Sequence, residues 1–101
     1  MLEVEHADSD LARIEIEKDF IGGFSKPVAK QFRIVMQLVR TVSHEGQLRQ
    51  FPSRKFEKLK GKRKHQHSLR LNKQWRLIVE LYGKAPNKKI VIKAIENHYV
   101  D

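Results

Sequence analysis

The residues with the clearest chemical potential are the lysines and arginines between positions 54 and 76. Among these closely spaced basic side chains the stretch carries one acidic residue, Glu57. So many like charges repel one another, and an anionic partner relieves that repulsion. Closely spaced cations bind a phosphate backbone by releasing its counterions. The stretch therefore predicts a phosphate-binding surface, and the alternative is a solvated charge run that only aids solubility.

Composition limits both the size of the protein and the class of partner. The chain has 101 residues and a formal net charge of +9, which suits one domain with a modest core and a polyanionic partner. It contains no cysteine, so disulfides and thiolate zinc sites are excluded. No apolar run approaches the roughly 18 residues of a membrane span, and no secretory signal is evident. We expect a soluble cytoplasmic protein.

The first half of the chain predicts one short strand and two helices. Apolar and acidic residues alternate over residues 2–5, as in a strand. The first helix is expected to begin at the N-cap residues 7–10 and to end at residues 21–23. Ser25 caps the second helix, Pro27 occupies its first turn, and residues 44–46 are expected to end it. Apolar residues then recur at steps of three and four, which indicates a core-facing stripe rather than a cofactor site.

The second half predicts strands. Three strand-like segments lie at residues 66–71, 74–82 and 89–96. The expected fold class is α+β, with a small antiparallel sheet in the order β-α-α-β-β-β. The two N-terminal helices would cover one face of the sheet, so the other face would remain free for a ligand.

The pairing of the first two of these segments decides which side chains share the free face. A two-residue turn between them would pair Arg70 with Trp75. Arg76 would then share one sheet face with His65 and His67, while Trp75 would point toward the helices. This register predicts a basic face.

Four short motifs carry a resemblance to a known family. They are Leu-Lys-Gly-Lys-Arg at 59–63, Ser-Leu-Arg-Leu-Asn at 68–72, Gln-Trp-Arg-Leu at 74–77, and His98 after an apolar strand. Together they resemble the HigB branch of the RelE/ParE toxins, over nearly the whole chain. The resemblance implies the toxin of a type II toxin–antitoxin system, with a RelE/ParE-like fold. It further implies a ribosome-dependent, metal-independent mRNA endoribonuclease without a cofactor, neutralised by a HigA-like helix-turn-helix antitoxin.

The resemblance also assigns catalytic roles to individual positions. These are Lys60, Arg76, Glu57, Glu96 and His98. Two positions depart from the family pattern. Glu57 stands where the family has an upstream histidine, and Asn97 stands where it has the tyrosine of a C-terminal Asp-Tyr-His ending. Tyr99 follows the histidine instead.

The chemistry of RNA cleavage fits these residue types. Without a metal, the enzyme must remove the 2′-OH proton, stabilise charge on a pentacoordinate phosphate and protonate the leaving 5′-oxygen. Lys60 and Arg76 can stabilise the charge. His98 can shuttle protons near neutral pH and is the expected main proton-transfer group. Glu57 or Glu96 could act as the base or orient the imidazole, although nearby cations weaken either carboxylate as a base.

A further group of residues is expected to contact RNA: Lys58, Lys62, Arg63, Lys64, His65, His67, Arg70 and Lys73. Plain solvent exposure is the alternative for each. A metal site at His65 and His67 is disfavoured, because no third ligand is evident. Arg76 could instead pair with Glu80.

Two other functions remain open from the sequence. A ParE-like toxin of the same fold would bind gyrase and cleave nothing, and the retained Lys60, Arg76 and His98 argue against it. A non-enzymatic RNA-binding module would need only the basic stretch.

Overall fold

One five-stranded sheet carries two α-helices on one face in the part of the chain that the structure describes. This computed structural model describes residues 2–63, 65–84 and 88–97. In chain order the elements are β1 (Glu3–His6), α1 (Ser9–Ile16), α2 (Lys26–Thr41), β2 (Glu57–Lys58), β3 (Gln66–Arg70), β4 (Trp75–Tyr82) and β5 (Lys89–Asn97). Short 3-10 turns lie at Glu45–Gln50, Pro52–Arg54 and Gly61–Arg63. Within these described ranges, no helix has the length and apolar character needed to cross a membrane.

The strand order across the sheet is β1-β5-β4-β3-β2. β1 runs parallel to β5, and the other neighbouring strands are antiparallel. The predicted α+β class, with helices on one face, is confirmed, but the sheet is mixed because of this one parallel pair. Parallel strands need a long connection, and the chain between β1 and β5 supplies it. β2 is missing from the prediction because a two-residue strand shows no hydrophobic period.

Side-chain caps begin both helices where the sequence predicts them. The Asp8 carboxylate accepts hydrogen bonds from the backbone N–H groups of Asp10 and Leu11, at 2.8 and 3.1 Å. The Ser25 hydroxyl accepts one from the N–H of Val28, at 3.3 Å. These bonds satisfy N–H groups that have no partner within the helix.

Both helices end earlier than the sequence predicts. α1 ends at Ile16 rather than at 21–23, and α2 ends at Thr41 rather than at 44–46. The reason at α1 is a tertiary contact from Arg33 on α2. The Arg33 guanidinium donates hydrogen bonds to the carbonyl oxygens of Ile14, Glu17 and Phe20, at 2.7, 3.1 and 2.7 Å. A side chain thus satisfies carbonyls that further helical turns would otherwise bind.

The core lies between α2 and the inner face of the sheet. The buried residues of α2 are Val28, Ala29, Phe32, Val35, Met36 and Val39. The sheet contributes Leu69, Leu77, Val79, Ile90 and Ile92, all at most 1 % exposed. Trp75 packs edge-to-face against Phe24, with ring centroids 5.9 Å apart. We call the opposite side of the sheet the open face; it carries Glu57, Gln66, Ser68, Arg70, Arg76, Ile78, Glu80, Tyr82 and Glu96.

The pairing of β3 with β4 differs from the predicted register by one residue. Arg70 lies opposite Arg76, not opposite Trp75. The turn is longer than two residues because the Asn72 side chain organises it. Its Oδ1 atom accepts hydrogen bonds from the backbone N–H groups of Gln74 and Trp75, both at 2.8 Å. Asparagine commonly binds the backbone two residues on in this way, and the extra turn residue changes every cross-strand pair.

Candidate active site

Three charged side chains form a row across the open face. Arg70 on β3 lies opposite Arg76 on β4, and Arg76 lies opposite Glu96 on β5. Like charges directly across a strand pair are destabilising, so the two arginines favour an anion at this place. The predicted register would have kept these arginines out of direct opposition.

Arg76 contacts one side chain on β2 and one on β3. Its Nη1 atom lies 3.6 Å from the Glu57 carboxylate and donates to the Ser68 hydroxyl at 3.4 Å. The Arg76 side chain is 18 % exposed, whereas the Glu57 side chain is 55 % exposed. Glu57 also lies opposite buried Ser68 in the strand pairing. The arrangement places a solvent-accessible carboxylate beside a partly buried guanidinium, a combination suited to proton transfer next to a phosphate.

The basic 3-10 turn Gly61–Arg63 is hydrogen-bonded to Glu96, the member of this row on β5. The Arg63 guanidinium makes two hydrogen bonds to the Glu96 carboxylate, both at 2.9 Å, and a third to Gln66 at 2.9 Å. Gly61 has a left-handed backbone, with φ of 68°, which glycine adopts without strain. Glu96 is therefore held by two short hydrogen bonds, whereas Glu57 makes one longer ion pair of 3.6 Å, so Glu96 is the less available base.

The cations that precede and follow this turn are accessible to solvent. Exposed positions include Lys58, Lys60, Lys62 and Lys73. Lys60 begins the turn, and its carbonyl oxygen accepts a hydrogen bond from the Arg63 N–H at 3.4 Å. Arg70 is half-buried and donates to the Asn72 carbonyl oxygen at 3.2 Å. His98 and Lys64 lie outside the described residues.

His67 lies on the opposite side of the sheet from its predicted position. It pairs with the core residue Val79 and stacks on Phe56, with ring centroids 4.9 Å apart and planes at 14°. Burial, with Arg49 and Lys58 nearby, lowers the pKa of His67 below its usual value. The prediction that His67 shares a face with Arg76 is wrong, because the register follows the Asn72 turn.

His65 remains on the exposed side, with its Nε2 atom 3.4 Å from the Glu80 carboxylate. The two predicted histidines are therefore not adjacent ligands of one site. In residues 2–63, 65–84 and 88–97, no three His, Cys, Asp or Glu side chains are grouped so that they could hold a metal ion.

Sequence reasoning missed the role of Glu80. Glu80 lies on the open face, but the residue is only 7 % exposed. It accepts hydrogen bonds from Tyr82 and, at 2.9 Å, from Gln66, and these bonds lower the pKa of Glu80. An acidic residue between Val79 and Leu81 already indicates an outward position on β4. Its burial depends on side chains from other strands, which strand alternation does not reveal.

Solved bacterial structures share this architecture. The YoeB/ParE toxin from Agrobacterium tumefaciens superposes with a TM-score of 0.61 at 17 % identity, covering 96 % of this chain and 99 % of that one. YafQ from E. coli strain BL21(DE3) superposes with a TM-score of 0.59 at 12 % identity, covering 97 % and 94 %. At these identities the likeness establishes the fold alone.

The sequence itself specifies the family. The model of the HigB-like toxin family, described as the RelE-like toxin of type II toxin–antitoxin system HigB, matches residues 5–101. The chain belongs to this family, and it is the toxin component of such a system. The resemblance seen in the sequence is thereby confirmed, and an antitoxin partner follows from the class. A search of curated protein sequences returned no significant match.

Proposed function

We propose that this toxin is a metal-independent endoribonuclease that cleaves mRNA on the translating ribosome, in the cytoplasm. The observation that carries the proposal is the direct opposition of Arg70 and Arg76 beside the exposed Glu57. Two guanidinium groups on one face suit a phosphodiester, and an adjacent carboxylate suits proton transfer. A gyrase-binding toxin would not require this combination.

The reaction assigns one task to each group. Glu57 accepts the 2′-OH proton, and the 2′-oxygen attacks phosphorus as the bond from phosphorus to the 5′-oxygen breaks. Arg76, with Arg70 beside it, stabilises the added charge on the phosphate oxygens. The 5′-oxygen leaves with a proton, for which His98 is the proposed donor.

Two further residues complete the proposed site. Lys60, exposed at the start of the basic turn, approaches the phosphate from the β2 side and adds positive charge. Glu96 orients the basic turn through its ion pair with Arg63. This division of roles follows from the contacts, because Glu96 accepts two hydrogen bonds of 2.9 Å from Arg63, whereas Glu57 makes one longer ion pair of 3.6 Å with Arg76.

The surrounding cations form the proposed contact with ribosomal RNA and mRNA. They are Lys58, Lys62, Arg63, Lys64, His65 and Lys73. Contacts of this kind are electrostatic and weaken as salt rises. We further propose that the antitoxin is a HigA-like helix-turn-helix protein.

Induced expression in a bacterial host tests the proposal, with primer extension on a translated message. We expect new 5′ ends inside the coding region that disappear when translation is blocked. They should also disappear in Arg76→Ala but persist in Arg13→Ala, which truncates an exposed arginine on α1. Growth arrest with intact mRNA would overturn the nuclease and favour a gyrase poison.

A further inference from the structure

Tyr82 is an exposed aromatic residue on the same face as the candidate active site. Its side chain is 50 % exposed, and among the described residues only Ile16 is also classed as a large exposed hydrophobic. Arg76, Ile78, Glu80 and Tyr82 alternate on one side of β4. Tyr82 lies six positions after Arg76 along β4, a distance of about 20 Å. The ring therefore lies beyond the reactive groups, on the surface that an extended RNA would follow.

The Tyr82 ring is held in place by a buried carboxylate. Its hydroxyl donates a hydrogen bond to Glu80, which is 7 % exposed. Gln66 donates a second hydrogen bond to Glu80 at 2.9 Å. Burying a carboxylate is costly unless it is hydrogen-bonded, so this pair of donors explains why Glu80 is tolerated. A ring fixed in this way loses little further entropy when a ligand stacks on it.

Two lysines of β5, Lys89 and Lys93, lie on the strand next to Tyr82. Lys89 lies opposite Tyr82 in the strand pairing, and its amino group is 3.6 Å from the Glu5 carboxylate at the solvent-exposed edge of the sheet. The register of β4 with β5 shifts between Ile78 and Val79, which leaves Lys93 as the extra residue of a bulge. The bulge brings the Lys93 amino group to 4.0 Å from Glu80, on the open face. The surface thus combines an exposed ring with lysines, the combination with which proteins bind single-stranded nucleic acid.

We propose that Tyr82 is a base-stacking subsite for single-stranded RNA, with Glu80 as its positioning residue and Lys89 and Lys93 as phosphate contacts. The proposal rests on the proposed function, because it extends the RNA path away from the cleavage centre. Stacking on a tyrosine accepts any base, so the subsite adds affinity without sequence preference.

Fluorescence anisotropy with a labelled 2′-O-methyl oligoribonucleotide tests the subsite directly. This RNA lacks the free 2′-OH that cleavage requires, so binding is measured with the catalytic residues intact. Tyr82→Ala should weaken binding roughly five- to a hundredfold, the effect of losing one stacked base. Tyr82→Phe should retain most of the affinity, and Ile16→Ala, which truncates an exposed residue of α1, should retain all of it.

Salt dependence separates stacking from charge. Tyr82→Ala should leave the slope of log Kd against log salt unchanged, whereas Lys93→Ala should lower it by about 0.7. Glu80→Ala removes a negative charge, which alone would tighten RNA binding; a positioning role predicts weaker binding instead. Glu80→Gln, which can still accept the hydrogen bond from Tyr82, should restore the RNA affinity that Glu80→Ala loses. Melting temperatures of all variants verify that they are folded.

Unchanged affinity in folded Tyr82→Ala would overturn the subsite. Loss of antitoxin binding in that variant, with RNA binding intact, would also overturn it and would make the surface a protein interface. The two proposals fail separately. If wild type cleaves mRNA in cells while Tyr82→Ala binds RNA normally, only the subsite is wrong; if Tyr82 supports binding but mRNA stays intact, only the nuclease is wrong.

Discussion

Arg70 and Arg76 lie directly opposite each other on adjacent strands, on the face of the sheet that the helices leave open. Neighbouring like charges destabilise a strand pair, and a bound phosphate group would reduce this repulsion further than Glu57, which lies 3.6 Å from Arg76, does alone. This relationship links the stability of the free protein to the ligand that we propose.

Neutralising one of the two arginines should stabilise the free protein. For Arg70→Gln we expect a gain of about 0.2–1 kcal/mol in the free energy of unfolding, the usual size of a cross-strand effect. Inorganic phosphate should stabilise wild type more than Arg70→Gln at equal ionic strength. Urea denaturation with phosphate or chloride measures both effects. Lys30→Gln, at an exposed position on α2, serves as the control, and a lower stability of Arg70→Gln without phosphate would contradict the prediction.

The Asn72 side chain should be required for the register that creates this opposition. Asn72→Ala removes the acceptor of two backbone hydrogen bonds, which should cost about 1–2 kcal/mol of unfolding free energy. Asn72→Asp keeps the acceptor and should retain most of that stability. Urea denaturation monitored by Trp75 fluorescence gives the values. Equal stability of Asn72→Ala and Asn72→Asp would show that the turn does not depend on the side-chain oxygen.

Acid should destabilise the protein through the carboxylate that joins β1, α1 and α2. Glu15 accepts hydrogen bonds from Arg40 and lies 2.7 Å from His6, and the bonds from Arg40 are the main cause of its lowered pKa. Its folded pKa is below the unfolded value, so its contribution is present above the unfolded pKa of about 4.3 and is lost as pH falls through the folded value.

A Glu15→Gln variant tests that contribution. Between about pH 5 and pH 3 its unfolding free energy should fall less steeply than that of wild type, because the titrating group is gone. Urea denaturation over this range measures both slopes. Glu3→Gln, at an exposed residue of β1, provides the comparison. If the free energies of unfolding of wild type and Glu15→Gln fall with the same slope as the pH decreases, the contribution assigned to Glu15 is wrong.

Local signals predict the helix starts and the core stripe well. Ser25 and the three-and-four spacing after it are sufficient to predict the start and the buried face of α2, because capping and helical period are properties of adjacent residues. The helix end at Ile16 depends on Arg33, a residue from another element, and no local pattern reveals that contact. Composition and periodicity do not indicate an activity, so the toxin function could be predicted only from the family resemblance.

The site was harder to predict because it depends on register. The turn at Asn72 adds a residue that a two-residue hairpin excludes, and this change places Arg70 opposite Arg76 and turns His67 toward the core. The bulge at Lys93 also interrupts the alternation of side-chain directions along β5, and no local pattern in the sequence marks it. Sequence reasoning selected Arg76 and Glu57, which lie 3.6 Å apart, but strand geometry determined how they meet.

The most direct test of the central claim is the cleavage rate of mRNA on purified, programmed ribosomes under single-turnover conditions. We predict that Arg76→Ala slows cleavage by roughly 10²–10³-fold, the effect of removing one donor to a transition-state oxyanion. Lys84→Ala, which removes an exposed lysine after the end of β4, should cleave at the wild-type rate. Equal rates for Arg76→Ala and wild type would contradict the proposed role of Arg76 at the phosphate.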